Sequence, residues 1–237
     1  MKSDYEQTLD ENFDKALDLC SNTHSNKDLI AFLKNGNIPE RQFASLEISK
    51  LESETDAEVF ISNLINCDGK IREAVAQKFS EFVLVDEYRT YFSKYPEILA
   101  KSTIDINANI SRMVIDGLVY MKEFSEFGGK YTQQLLVYIN EAFDGLDKII
   151  YKDKKYTINK QLFKLYWCLE GLNNYWMYLK DDVLYSLLER SLTETEYTVR
   201  EKAAQIIVKQ TSERYNPLKE KLSNDENYYV RRILNNK

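Results

Sequence analysis

The sequence predicts an all-α chain built as an α-solenoid, and three observations carry that prediction. Three segments repeat one another: Asp68-Gly69-Lys70-Ile71-Arg72, Glu196-Tyr197-Thr198-Val199-Arg200 and Asp225-Glu226-Asn227-Tyr228-Tyr229-Val230-Arg231. Each sets an acidic residue, a short gap and an aliphatic–Arg pair where a helix would open, and internal repetition constrains a fold more than any local feature. Hydrophobic residues make up 43% of the chain and charged residues 30%, with only 7 Gly and 3 Pro in 237 residues, which opposes both disorder and a turn-rich β protein. Finally, apolar residues recur every three or four positions through most of the chain, the period of an amphipathic helix.

The elements follow in order. Tyr5, Leu9, Phe13, Ala16, Leu17 and Cys20 mark a first helix whose other face is acidic. Ser25 with Asp28 three positions on reads as a helix start, Leu29, Ile30, Phe32 and Leu33 supply its apolar side, and Gly36 is a stop. Pro39 suits the first turn of the next helix, which carries Phe43, Leu46 and Leu51. From Asp56 the rhythm becomes one of paired helices. Ala57, Phe60, Ile61, Leu64 and Ile65 precede Ile71, Val75, Phe79 and Phe82; Ile98 and Leu99 precede Ile110, Val114, Leu118 and Met121. Leu135, Ile139, Phe143, Leu146 and Ile150 precede Ile158, Leu162, Leu165, Leu169 and Leu172. Val183, Leu184, Leu187 and Leu188 precede Val199, Ala203, Ile206 and Ile207, and Leu218 with Leu222 precedes Val230.

The aliphatic residues that open the second helices, 71, 110, 158, 199 and 230, are separated by 39, 48, 41 and 31 positions. These intervals bracket the roughly 40–47 residues of two-helix HEAT units and are too irregular for tetratricopeptide or ankyrin arrays. The chain from about residue 56 onward thus resembles the HEAT-repeat, armadillo-like helical family, most clearly at Asp68–Phe79, Glu196–Ile207 and Asp225–Leu234. In the two middle units Ser111 and Asn159 stand where the other units have Arg. The resemblance implies a right-handed α-solenoid of about five helical hairpins, residues 52–237, behind an N-terminal helical lead-in or cap, residues 1–51. It also implies that Asp68, Arg72, Arg200, Asp225 and Arg231 form a polar ladder between neighbouring units. An Arg fork can satisfy several backbone or carboxylate oxygens at once where helix ends leave groups unpaired.

Residues suited to catalysis are sparse. His24 is the only histidine, which excludes a multi-histidine metal site and suggests a surface turn residue. Gly128-Gly129-Lys130 lacks the spacing of a phosphate-binding loop and reads as an interhelix turn. Asp181-Asp182 suits the start of a helix, as a cap favoured by the macrodipole, better than an acid pair. Cys20, Cys67 and Cys168 are odd in number and far apart, so neither a disulfide framework nor a zinc site is expected. Seventeen tyrosines are many, but aromatic rings fill interhelix seams as readily as they form binding surfaces. The expectation is a protein with no enzymatic activity and no cofactor. Without a long apolar run or a secretion-signal layout at Met1–Glu6, it should be cytoplasmic.

The charge is polarised. Net charge is −6 overall, but −8 over residues 1–69, −3 over 70–147 and +5 over 148–237. The basic part is densest where Lys148, Lys152, Lys154, Lys155, Lys160 and Lys164 interleave with Tyr151 and Tyr156. Lys152, Lys154, Lys155, Tyr156, Lys160 and Lys164 are therefore candidate contacts for an acidic protein or peptide. The leading expectation is a scaffold or adaptor that binds such a partner on the concave face of its second helices. A HEAT-like DNA-binding protein, resembling the alkylpurine DNA glycosylases, is the alternative. Nucleic-acid binding calls for a broadly basic face, which a pI near 5.1 opposes.

Overall fold

A computed structural model of the protein describes the backbone of residues 4–148 and 155–235, and their side chains apart from those of residues 4–10, 12, 155–157 and 235. The described residues are mostly helical, with no strand among them. It forms two compact units, residues 1–121 and 122–237.

Among the described residues the first unit holds eight α-helices: α1 (Asp4–Ser21), α2 (Asn26–Asn35), α3 (Ile38–Glu47), α4 (Glu54–Ser62), α5 (Gly69–Phe82), α6 (Asp86–Phe92), α7 (Pro96–Thr103) and α8 (Ala108–Leu118). Local chemistry sets where they start. Ser25 and Asp28 form a capping box at α2, and Asn37 and Glu40 form another at α3, where Pro39 occupies the first turn. Each box satisfies two backbone N–H groups that a helix start leaves without a partner. Pro96 starts α7 for the same reason that it ends the preceding segment, since it lacks the N–H an interior turn requires. The first half of this helical pair is consequently two short helices, α6 and α7.

Packing follows the apolar stripes. Helices α3, α5 and α8 lie side by side in one row, and α2, α4 and α6 in a second row against them. Between the rows the rings of Phe60, Phe79, Phe82 and Phe92 meet at 5.2–6.1 Å, with Phe60, Phe79 and Phe92 fully buried. Ile71 and Ile110, the aliphatic residues that open α5 and α8, are buried at the seam. Burying side chains of this size contributes about 1.5–3 kcal/mol each relative to exposure.

The second unit repeats the scheme with α9 (Ser125–Asp147), α10 (Lys155–Leu172), α11 (Asp181–Ser191), α12 (Tyr197–Ile207), α13 (Asn216–Ser223) and α14 (Tyr228–Asn235). α10, α12 and α14 form a row, and α9, α11 and α13 pack on it as the first helices of three pairs. Val199 and Val230 are fully buried, whereas Ile158 is half-buried. Phe127, Tyr131 and Tyr175 form an aromatic core in which the Phe127 and Tyr131 rings stack at 5.5 Å.

Three local expectations change here. Gly128, Gly129 and Lys130 do not form an interhelix turn but lie in the first turns of α9. Gly128 is required there because a Cβ would stand 2.4 Å from the Tyr178 ring. Asp181 and Asp182 lie in the first turn of α11, yet no side chain caps that helix. Both carboxylates reach Arg214 instead, at 2.6 and 2.5 Å, and Asp181 also accepts the Tyr215 hydroxyl at 2.7 Å. Their proximity to a cation one helical pair further on outweighs capping. His24 is no free surface residue: it is half-buried, its Nε2 is 3.0 Å from the Leu19 carbonyl, and its ring meets Phe32 and Phe43 edge-on at 5.3 and 5.4 Å.

Candidate functional site

The charged residues at the helix openings are engaged with one another. Arg72, in the first turn of α5, donates from Nε to Asp105 Oδ2 at 2.7 Å and from Nη2 to Oδ1 at 3.2 Å, while Nη1 bonds the Cys67 carbonyl. Arg200 on α12 repeats the arrangement. Its Nε and Nη2 hold the two Asp225 oxygens at 2.8 and 3.1 Å, and Nη1 bonds the Glu194 and Thr195 carbonyls at 2.8 and 2.9 Å. Each guanidinium thus ties the turn before its own helix to the turn before the next second helix. A planar fork with five donors suits that geometry, and an ammonium does not.

The remaining residues of the expected ladder divide by position. Arg231 binds its own turn, through the Asp225 carbonyl and the Glu226 carbonyl. Ser111, where Arg is missing on α8, makes the corresponding short bond to the Asp105 carbonyl at 3.1 Å. Asp68 caps α5 by accepting the Lys70 N–H at 2.8 Å, and the carboxylate that Arg72 grips is that of Asp105.

Asp105 is absent from the residues singled out in the sequence, although a signal for it exists. Asp105 lies five positions before Ile110 and Asp225 five before Val230, and an asparagine, Asn107 or Asn227, follows two places on. Both carboxylates accept that asparagine's N–H at 2.8 Å, and the asparagine side chains accept from Asn109 and Tyr229 at 3.0 and 2.8 Å. The Asp-x-Asn turn therefore caps the helix behind it and offers its carboxylate to the arginine of the preceding unit.

The electrostatics agree with this geometry. Burial pushes the Asp225 carboxyl upward, but the bonds from Arg200 and the Asn227 N–H outweigh it and hold the group below the usual carboxylate range. The hydrogen bonds to Asp105 and Asp225 raise the affinity of Arg72 and Arg200 for their protons. Arg200 is only 6% exposed, so its charge depends on these partners.

The basic segment is only partly described. Lys152 and Lys154 lie outside the described residues, as do the side chains of Lys155 and Tyr156, which open α10. Lys160 is exposed, whereas Lys164 is half-buried and bonds Glu141 on α9 at 3.2 Å. The charge of Lys164 is thereby engaged within the helical pair.

Each unit also carries an open groove. In the first, α1 and α3 enclose about 400 Å³ lined by Phe13, Ile38, Phe43 and Leu46. In the second, α9 and α11 flank about 680 Å³ floored by Phe143 and Leu187, where Arg190 lies 5.0 Å over the Phe143 ring and bonds Asp147 at 2.5 Å. Among the described residues no group of three or more His, Cys, Asp or Glu side chains could hold a metal ion, and no helix is long and apolar enough to cross a membrane.

No protein-family model and no curated protein sequence matches the chain. Among solved structures it is similar to an archaeal HEAT-like repeats protein from Thermococcus onnurineus, at 10% identity over 90% of this chain and 78% of that one, with a TM-score of 0.50. It is also similar to an engineered protein, at 13% identity over 90% and 96% of the two chains, with a TM-score of 0.52. The fold is a HEAT-like helical repeat.

Within a HEAT-like repeat the Arg–Asp clasps have a plain physical reading. Each helical pair buries one stripe within itself and one against its neighbour, and the clasp fixes the register of that second contact through charge-assisted bonds. Ser111 and Asn159 stand where the series lacks Arg, and among the described residues the clasp is made by Arg72 in the first unit and Arg200 in the second.

Proposed function

We propose that this chain is a non-enzymatic HEAT-like scaffold or adaptor that binds a protein or peptide on the concave face made by its second helices, with residues 1–51 leading into the stack of residues 52–237. The observation that carries the reading is the engagement of its chemically loaded residues. Arg72, Arg200, Asp105 and Asp225 are bound to one another at helix junctions, where they hold helical pairs in register rather than surrounding a space that a substrate could enter. An architecture of stacked pairs tolerates variation on its exposed faces at little cost in stability, which suits partner binding.

Within this reading, the basic segment Lys152, Lys154, Lys155, Tyr156, Lys160 and Lys164 contacts an acidic stretch of the partner in the cytoplasm. Exposed Lys160 supports that role more than Lys164, whose ammonium faces Glu141. The test begins with a partner recovered by affinity capture, followed by association rates at two salt concentrations. Lys154→Glu with Lys155→Glu should slow association and flatten its salt dependence while leaving the fold intact. Identical rates for native and reversed chains would remove the segment from the binding surface. Salt-sensitive binding of duplex DNA by the native chain would favour the glycosylase-like alternative.

A further inference from the structure

In the second unit the row of first helices opens between α9 and α11 into the groove of about 680 Å³. Its apolar lining is Leu136 and Phe143 from α9 and Val183 and Leu187 from α11. On each helix these residues recur at helical spacing, so each turns one stripe toward the groove. Phe143 and Leu187 are buried, whereas Val183 is 39% exposed and open to an incoming side chain. Along α9 the lining runs from Leu136 to Asp147, about 16 Å at 1.5 Å per residue, or three turns.

The charged lining is acidic: Asp144 and Asp147 from α9 and Asp182 from α11 stand against one cation, Arg190. Each nearby arginine is shared. Arg190 bonds Asp147 at 2.5 Å and lies 3.7 Å from Glu194, and Arg214 bonds Asp181 and Asp182 at 2.6 and 2.5 Å. Two arginines thus serve four carboxylates, and Asp144, exposed and paired with neither, makes a fifth. Asp144 and Asp147 also stand in the last turn of α9, where the helix dipole already concentrates negative charge and no basic residue offsets it. Lys148 follows only at the cap and is not part of the lining. A cleft lined by an excess of one sign concentrates ligands of the other.

We propose that the groove between α9 and α11 docks a basic amphipathic helix of a partner protein, its apolar residues against Phe143, Val183 and Leu187 and an arginine or lysine at Asp144. The surplus of acid within the lining sets the sign of the partner. A trough bordered by two helices admits a third, whose anchors at i, i+3, i+4 and i+7 cover about 10 Å of its length. The groove already seats one guanidinium, that of Arg190, 5.0 Å over the Phe143 ring and bonded to Asp147. This surface belongs to the row of first helices, apart from the second helices and the basic segment, and it stands whether or not those bind an acidic partner.

The probe is a fluorescently labelled synthetic peptide of about twelve residues, with leucines at helical i, i+3, i+4 and i+7 positions and arginines on the opposite face. Two controls accompany it: a glutamate-for-arginine version and a scrambled version of the same composition. Anisotropy titrations should show binding of the arginine peptide alone, weakened by added salt. Ser186→Trp fills the groove from an exposed lining position and should weaken binding roughly tenfold or more, the scale of lost anchors. Asp144→Asn removes a lining charge and should weaken it by about two- to fivefold and flatten the salt dependence. Glu47→Gln, at an exposed acid of the first unit, should leave it unchanged. Circular dichroism melts of each variant separate lost binding from lost fold, and Asn140→Trp on the facing wall replaces Ser186→Trp should that chain not fold.

Equal binding of the arginine and scrambled peptides, equal binding of the glutamate peptide, or full binding by the folded tryptophan variant would each overturn the proposal. So would the absence of binding by the arginine peptide. Equal weakening by Glu47→Gln and Asp144→Asn would assign the attraction to the net charge of the chain and overturn it as well. Sedimentation velocity tests a second copy as occupant: self-association abolished by Ser186→Trp would give the groove to the chain itself and overturn the partner-helix assignment.

Discussion

Arg200 and Asp225 are joined by two hydrogen bonds, 2.8 and 3.1 Å long, across 25 positions of sequence, and Arg72 holds Asp105 in the same way at 2.7 and 3.2 Å. In both, the arginine opens one second helix and the carboxylate sits in the turn before the next. The charge of each is buried or nearly so, with side-chain exposures of 7% and 10% in the first pair and 17% and 9% in the second.

Arg72→Lys tests the fork itself. A lysine keeps the charge but cannot hold both Asp105 oxygens and the Cys67 carbonyl together. Urea unfolding should show a loss of about 1–3 kcal/mol, the scale of a buried polar group left without its partner. An unchanged midpoint would mean that position, not hydrogen-bond geometry, is what this arginine supplies.

The Asp225 carboxylate predicts an acid response with a definite sign. Its folded pKa lies below its unfolded value, so the stabilisation is complete above the unfolded pKa of about 3.9 and is lost as pH falls through the lower folded value. Comparing native chain with Asp225→Asn from pH 6 to pH 2 should therefore show the gap in stability narrowing at the acid end. A constant gap would show that the carboxylate is not held below its ordinary range.

How much of this was legible in sequence differs by feature. The helical periodicity and the opening residues Ile71, Ile110, Val199 and Val230 were legible because burial imposes a pattern on every turn, and all four are buried. Arg72 and Arg200 were visible because the aliphatic–Arg pair repeats within adjacent positions. Asp105 was missed because the carboxylate that an arginine grips belongs to the following unit, and adjacency in space there corresponds to 33 positions of sequence. Asp68 drew attention as the nearest acid, yet at three positions before Ile71 it is a cap, whereas Asp105 and Asp225 stand five positions before their aliphatic residues. The two glycines before Lys130 suggested a turn because nothing local to them reveals the Tyr178 ring that one of them accommodates.

That ring gives a paired prediction. Gly128→Ala would place a methyl 2.4 Å from the Tyr178 ring, which is held in place by its hydroxyl donating to the Lys122 carbonyl at 2.6 Å. Overpacking of this kind costs about 1–3 kcal/mol. Gly129→Ala meets nothing within 4 Å and should instead stabilise by about 0.5–1 kcal/mol, the helix-propensity difference. Thermal melts of the two variants should move in opposite directions, and a shift in the same direction would refute the packing assigned to α9.

Lys160 and Lys164 of the basic segment should also differ. Lys160→Glu removes an exposed charge and should slow capture of an acidic partner, whereas Lys164→Glu places like charge beside Glu141 and should chiefly lower stability. Association rates and melting temperatures measured on both variants would separate these effects. A larger rate effect at Lys164 would contradict the pairing with Glu141.

The claim that these charged residues clasp helical pairs is tested most directly by a double-mutant cycle on Arg200→Ala and Asp225→Ala, with unfolding free energies of all four chains measured in urea. A clasp predicts that the two substitutions are far from additive, with a coupling of about 1 kcal/mol or more. Additive losses, with coupling indistinguishable from zero, would mean that Arg200 and Asp225 contribute independently and that the arginine–aspartate pair does not hold the repeat together.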